Sequence, residues 1–370
     1  MGTTEGLRTP LYDFHEQNNA KFVDFAGWRM PIQYGSILEE HKKTREAAGL
    51  FDVSHMGEFL IEGDNAHHDV NRLITNDLTQ VGSGQAIYSP MCKEDGGVVD
   101  DLILYRRSDT SIFICCNAAN VSSVEKWFKE QLADSNCLIE NQSAQYAQIA
   151  VQGPVATEIV NQLHLNPINK LLRFHFVETS ILGQSAILSR TGYTGEDGYE
   201  IYCAPEHAMD LAEKIHKIGS PKGLIPVGLG ARDSLRLEAG YPLFGHEISD
   251  QISPIEGGLG WTVKFSKSDN FVGREALQAQ KNSSETRKTI HFVTQDKRIA
   301  REGAEVFSDG KCVGSVQSGS FSPILNCGIG SALVNGNTET EAGLSVMIRN
   351  KSLPIFTHKP PLHKIDLTAN

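Results

Sequence analysis

The sequence predicts an α+β protein of two or three domains that ends in a small β-barrel. Three observations carry this. The chain has 370 residues, more than one hydrophobic core usually organises. Up to about residue 280, alternating apolar runs are interleaved with helix-spaced runs that carry capping signals. The stretch Lys281-Asn-Ser-Ser-Glu-Thr-Arg-Lys288 is polar throughout and reads as a linker. Beyond it the runs Thr289 to Val293, Ala304 to Phe307, Cys312 to Gln317 and Ile329 to Val334 read as strands, with turns such as Ser308-Asp-Gly-Lys311. Short strands at that spacing predict a barrel.

Composition excludes several classes. An apolar fraction of 40% with 21% charged residues is that of a globular protein. No run of apolar residues is long enough for a spanning helix. A net charge of −11 argues against nucleic acid as partner, since phosphate recognition needs clustered Lys and Arg. Seven scattered cysteines without a Cys-x-x-Cys pair predict a reducing compartment, no disulfide framework and no metal site. Cys115 and Cys116 sit inside an apolar run and are expected to be buried. The start, Met1-Gly-Thr-Thr-Glu-Gly6, is neither a secretory signal nor an Arg- and Ser-rich transit segment, so a cytoplasmic, bacterial protein is expected.

Along the chain, Phe22 to Trp28 is aromatic and apolar and reads as core. Ser36 and Glu39 form a capping-box pattern for a helix whose Ile37, Leu38 and His41 share a face, with Gly49 placed to end it. His55 precedes a strand from Glu58 to Glu62 and reads as a structural hydrogen-bonder rather than a catalytic base. Tyr88 to Cys92 and Gly96 to Tyr105 read as two strands joined by Lys93-Glu-Asp-Gly-Gly97. Asp100 and Asp101, at the start of the second, are the acid–base candidates. Successive strand side chains face opposite ways, so they are not a shared-proton dyad, and the alternation leaves open which one faces a pocket. Ser111 to Cys116 is a further strand, and Asn120 or Ser122 caps a helix to about Leu132. Ala147 to Val151 is a strand, Gly153-Pro154 opens a helix, and Pro205 to Ile218 is an amphipathic helix closed by Gly219. Gly228-x-Gly230 has Asp233 where a dinucleotide fingerprint needs its third glycine, so a Rossmann site is rejected. Arg232, near a helix start where the dipole disfavours cations, calls for an anionic partner, from a ligand or from the protein itself.

The stretch around which these elements are organised is Arg190-Thr-Gly-Tyr-Thr-Gly-Glu-Asp-Gly-Tyr-Glu200, between strands Ser185 to Arg190 and Tyr199 to Cys203. Gly192, Gly195 and Gly198 alternate with tyrosines and carboxylates, more chemistry than a plain turn requires. Aromatic faces with a carboxylate suit a flat heterocycle that bears N–H donors.

That stretch, together with Phe51-Asp-Val-Ser-His-Met-Gly57, Gly96-Gly-Val-Val-Asp-Asp-Leu102, Gly230-Ala-Arg-Asp-Ser-Leu-Arg-Leu-Glu238 and Ser318-Gly-Ser-Phe-Ser-Pro323, resembles the T-protein family of the glycine cleavage system, the aminomethyltransferases. The resemblance runs from about Thr9 to His363. It implies a three-domain cloverleaf around a central folate site, divided as 1–50 with 140–280, 51–139 carrying the catalytic aspartate, and the barrel 281–370. It implies transfer of a methylene carbon from the aminomethyl-dihydrolipoyl arm of the H protein to tetrahydrofolate, with ammonia and 5,10-methylenetetrahydrofolate as products. The family's catalytic aspartate falls on Asp101 and its pterin-binding glutamate on Glu200. Other folate contacts fall on Tyr88, Asn117, Tyr193, Arg232, Tyr241 and Trp261. Lys297, Arg298 and Arg301 match a basic run expected to meet the H protein. The ending Lys359-Pro-Pro-Leu-His363 departs from the family's Pro-aromatic pair followed by an arginine or other polar contact. Folate-dependent demethylases, iron–sulfur-assembly folate binders and flavin-linked oxidases share several of these motifs. None of the seven cysteines lies in the Lys-Gly-Cys motif of the second class, and no flavin fingerprint precedes the matching region.

Overall fold

The structure is a computed structural model and describes residues 6–163, 168, 170–340 and 343–366. The N-terminal segment weighed above as a signal lies, up to residue 5, outside the described residues. The chain divides into two compact units: Met1–His67 with Thr79–Ile87 and Ile103–Arg232, and His68–Leu78 with Tyr88–Leu102 and Asp233–Asn370.

The first unit is built on a six-stranded sheet in the order Phe176–Ile181, Gln184–Ser189, Gly198–Cys203, Ala147–Gln152, Ala48–Asp52, Leu224–Pro226. Its pairs are antiparallel except the last, which is parallel. The central strands are buried along their whole length, as their near-continuous apolar runs dictate. The helix Ala208–Gly219 lays Ala208, Leu211, Ala212 and Ile215 onto Ile149, Val151, Leu188 and Ile201. Each large aliphatic side chain so buried contributes about 1.5–3 kcal/mol. Gly219 is the last residue of this helix rather than the residue beyond it.

Four local expectations are corrected here. The helix Ile37–Glu46 does follow Ser36, but Ser36 makes no side-chain cap bond. The buried Glu40 instead ties down the chain entering the helix, accepting the backbone N–H groups of Tyr34 (2.8 Å), Gly35 (3.1 Å) and Gly228 (2.9 Å). Leu38 is exposed rather than on the buried face with His41. Gly49 lies inside the strand Ala48–Asp52, where a Cβ would meet Thr44 Oγ1 at 2.7 Å, so it is required by packing and not as a helix stop. Phe22 to Trp28 is a surface hairpin of strands Lys21–Phe25 and Trp28–Gln33, turned at Ala26 and Gly27, with Phe25 exposed.

A five-stranded sheet runs in the order Gln85–Cys92, Val98–Ser108, Ser111–Cys116, Gly57–Glu62, Leu138–Asn141. The chain of its first two strands belongs partly to each unit. The turn between them closes with Lys93 N–H on Gly97 O at 2.8 Å. The helix Val121–Gln131 starts after Asn120, which makes no side-chain cap bond, and the helix after Gly153-Pro154 begins only at Ala156.

The second unit ends in a closed barrel: Lys288–Thr294, Cys327–Val334, Lys311–Ser322, Glu305–Ser308, Leu344–Ile348, Lys351–Thr357, closed by pairing of the last with the first. Phe292, Val306, Val316, Ala332, Val346 and Leu353 fill it. The turn at Asp309-Gly310 has both residues at positive φ, 49° and 75°, the geometry that suits a two-residue hairpin. The strands Leu344–Ile348 and Lys351–Thr357 were not read from the sequence. Their turn uses Arg349 and Asn350 at positive φ, a pair without glycine.

Candidate functional site

In the first unit the glycine-rich stretch is a loop wrapped around one buried side chain, Gln152. Gln152 Nε2 donates to Thr191 O (3.0 Å), and Thr194 Oγ1 donates to Gln152 Oε1 (3.0 Å). A Cβ on Gly192 would sit 1.8 Å from Gln152 Oε1, and one on Gly198 would sit 2.4 Å from its Nε2. These glycines therefore allow close approach, whereas Gly195, at φ 82°, supplies the left-handed turn. Arg190 closes the neck with a two-pronged ion pair to Asp197 (2.9 and 2.6 Å). From the side, Arg45 Nη1 donates to Thr194 O (2.6 Å) and pairs with Glu196 (2.9 Å).

The loop delivers Glu200 onto the strand Gly198–Cys203, buried, with its carboxylate held from both ends. Thr191 Oγ1 donates to Oε2 and Gln148 Nε2 donates to Oε1 at 3.1 Å. Gln148 also reaches Tyr202 Oη (3.0 Å), which is hydrogen-bonded to Tyr105 Oη (2.9 Å), and the Cys115 thiol donates to Gln148 Oε1 at 3.7 Å. Burial raises the pKa of Glu200 above the ordinary carboxylate value, against the opposing pull of Thr191, Arg232 and Gln148. Arg232 lies over the Tyr193 ring, 4.7 Å from its centre, and its guanidinium is destabilised by burial and supported by Tyr193 and Glu200. Glu200 is thus an acidic group whose field Arg232 feels. Asn117 precedes a short 3₁₀ turn, Ala118–Asn120. Of the residues expected in the site, this unit brings together Glu200, Arg232 and Tyr193. Gln148, Gln152 and Thr191 were missed, because glutamines on a strand and a threonine in a loop carry no sequence signal for a polar cluster.

His55 is buried, and desolvation lowers its pKa to about 4, so its ring is neutral near pH 7. Its Nδ1 finds no hydrogen-bond partner among the described residues, and the ring packs edge-on against Phe25. A second polar cluster was not anticipated. Asp52 accepts Thr9 Oγ1 (2.6 Å), His15 Nε2 (2.8 Å) and the Ser54 N–H (2.9 Å), and His15 Nδ1 meets the Tyr34 hydroxyl at 2.8 Å.

In the second unit the strand alternation gives the two aspartates different surroundings. Asp100 is fully buried, while Asp101 is half-exposed and accepts the Tyr88 hydroxyl at 3.0 Å. The Tyr88 ring stacks on Trp261 at 6.2 Å, and Trp261 is itself largely exposed. The strand's entry is fixed by Val98 N–H on Ser249 O (2.8 Å), and a Cβ on Gly97 would lie 2.1 Å from Asp250 O. Tyr241 follows the helix Leu229–Ala239, its N–H on Arg236 O (2.9 Å). Arg236 is fully buried, paired with Glu247 at 2.8 Å and donating to Ser318 Oγ at 2.9 Å. This network joins two of the sequence motifs, Gly230 to Glu238 and Ser318 to Pro323. Asp101, Tyr88 and Trp261 form one group, and Tyr241 stands in the same unit.

An α+β chain whose last part is a closed six-stranded barrel, with a buried carboxylate set among tyrosines, has the architecture of the T-protein class. Family models agree along nearly its whole length: the GCVT N-terminal domain matches residues 11–267 and the glycine cleavage T-protein C-terminal barrel domain matches residues 287–364. An aminomethyltransferase of Lysinibacillus sphaericus is 44% identical over 98% of this chain and 99% of its own length. One of Bacillus subtilis is 44% identical over 96% and 99%. The crystal structure of glycine cleavage system aminomethyltransferase T from Bartonella henselae superposes with a TM-score of 0.88 at 34% identity, covering 96% of this chain and 98% of that one. The chain belongs to the glycine cleavage T-protein family, the aminomethyltransferases.

Proposed function

We infer that the chain is a tetrahydrofolate-dependent aminomethyltransferase of glycine cleavage, acting on the aminomethyl-dihydrolipoyl arm of the H protein. Tetrahydrofolate supplies two nitrogens for the methylene, and the two protons they lose end on the lipoyl sulfur and on the departing ammonia. The observation that carries the reading is Glu200. Its buried carboxylate, with Tyr193 and Arg232 in the same group, fits a pterin's amino-pyrimidinone edge, whose adjacent N–H groups one carboxylate accepts in bidentate fashion. Asn117, Tyr88, Tyr241 and Trp261 are proposed as further folate contacts from their resemblance to the family's motifs. Asp101, hydrogen-bonded by Tyr88, is assigned the acid–base work. It holds the attacking nitrogen, accepts its proton and stabilises the positive charge that develops.

The division into 1–50 with 140–280, 51–139 and 281–370 belongs to this reading, as does a cytoplasmic location. No described helix is long and apolar enough to cross a membrane. The H protein is assigned to the basic run Lys297, Arg298 and Arg301. There Arg298 already pairs with Asp296 at 2.8 Å, which leaves Lys297 and Arg301 as the main attraction for an acidic partner.

The direct test is ammonia release and methylenetetrahydrofolate formation from aminomethylated, lipoylated H protein, with and without tetrahydrofolate. Folate-dependent product well above the enzyme-free rate is expected. Folate binding without turnover would move the assignment to a demethylase or a binding protein.

A second expectation concerns pH. Glu200 recognises N–H donors as a carboxylate, and burial raises its pKa. Folate affinity is therefore expected to fall with acidification at a pH above the ordinary glutamate value of about 4.3. Glu200→Gln is expected to weaken binding roughly 10- to 100-fold, the worth of charge-assisted hydrogen bonds, and to flatten that pH dependence. Isothermal titration across pH checks both, and an unchanged, still pH-dependent affinity in the variant counts against the pterin role.

A further inference from the structure

Lys267 is buried in the second unit, although lysine is seldom found there. Its ammonium donates to three backbone carbonyls: Asn71 O (2.6 Å), Ile74 O (2.7 Å) and Asn76 O (3.0 Å). An ammonium has three donors and no acceptor, so these bonds satisfy it fully and gather the segment 71–76 around one point. The charged groups that face it are Asp77 and Asp269, which favour its charge, and Arg274, which opposes it. Asp269 is held in turn by Asn71 Nδ2 (3.1 Å) and His68 Nδ1 (3.4 Å). The Phe271 ring covers the ammonium at 4.8 Å.

The gathered segment grips the strand that carries Tyr88. Asn76, whose carbonyl accepts from Lys267, sends its Nδ2 to Tyr88 O at 2.9 Å and its N–H to Ser89 Oγ at 2.9 Å. Thr75 N–H adds a bond to Pro90 O at 3.0 Å. Tyr88 then places its hydroxyl 3.0 Å from Asp101 Oδ2 and its ring on Trp261. We infer that Lys267 is a positioning residue for the reaction: through Asn76 and Tyr88 it fixes the hydroxyl that hydrogen-bonds Asp101. This rests on the acid–base role given to Asp101 above. Burial also pushes the amine down to about 7, a cost that a merely peripheral lysine would not carry.

The test is a double-variant cycle on the whole chain, assayed with aminomethylated, lipoylated H protein and saturating tetrahydrofolate. Lys267→Met keeps the aliphatic stem and removes the ammonium. Its kcat is expected to fall roughly 10- to 100-fold, the scale of a displaced catalytic group. The loss should disappear in the Tyr88→Phe background, where no hydroxyl remains to be placed, because coupled residues are not additive. An equal fold loss in both backgrounds marks a general structural role and overturns the inference, as does an unchanged kcat in Lys267→Met. If Lys267→Met does not unfold cooperatively, Asn76→Ala removes the amide that holds Tyr88 and enters the same cycle with the same two readings. Asp101→Asn separates the two levels. If it stays active, the role of Asp101 fails whatever the cycle shows; if it is inactive and the cycle is additive, only the role of Lys267 fails.

Discussion

Asp101→Asn is expected to lower turnover by about 10²–10⁴-fold, the usual worth of a positioned acid–base group. The substitution preserves shape, and the retained oxygen still accepts the Tyr88 hydroxyl, so the local geometry should persist. What is lost is the negative charge beside a centre that gains positive charge, and the ability to take a proton from nitrogen. The half-exposed setting of Asp101 makes the replacement tolerable to the fold, unlike the same change at the fully buried Asp100. Single-turnover ammonia release and an unfolding curve are the two measurements needed. A loss below about tenfold, with the fold intact, would sink the acid–base role, because it falls short of what proton transfer ordinarily supplies.

Asp52→Asn should have the largest effect on stability. The carboxylate is buried, and both its oxygens accept from Thr9, His15 and the Ser54 backbone. The variant turns one acceptor into a donor that faces donors and removes the charge that Thr9 and His15 hydrogen-bond. Breaking a buried, hydrogen-bonded pair on one side costs about 3–5 kcal/mol. For a chain of this size that lowers the melting temperature by on the order of 10 °C.

The pH dependence has a definite sign. Burial alone would raise the pKa of Asp52, but the His15 bond and charge, with Thr9 and Ser54, hold it down at about 2. A depressed carboxylate contributes stability that is fully present above its unfolded value near 3.9 and is lost as pH falls through the folded value. Denaturant unfolding of wild type and variant should therefore differ fully at neutral pH and converge between about pH 4 and pH 2. A difference that stays constant over that window would remove Asp52 as its source.

The candidate groups of the site were legible in the chain as candidates. Asp100 and Asp101 stood out together as acid–base candidates at the start of an apolar strand, the stretch Arg190 to Glu200 because its tyrosines and carboxylates suit a flat heterocycle with N–H donors, and Arg232 because a cation near a helix start calls for an anionic partner; Asp101 and Glu200 were singled out by the family resemblance. What the sequence could not show was which groups hold them. Gln148, Gln152 and Thr191 around Glu200, and Lys267 and Asn76 behind Tyr88, come from distant parts of the chain and satisfy one another only once strands pair. Two of the loop's three glycines serve the bulk of Gln152, a fact no local pattern encodes.

The sequence by itself determined many of the elements, the barrel after the polar stretch and the alternation that separates Asp100 from Asp101, because periodicity and turn chemistry act over a few residues. The tertiary structure alone decided that Glu40 and not Glu39 serves the start of the helix Ile37–Glu46, that Gly49 is a packing glycine, that the Phe22 to Trp28 run lies at the surface, and that Arg236 finds Glu247. Each of these depends on desolvation and close approach between segments far apart in the chain, and burial is a property of the assembled core rather than of any stretch within it.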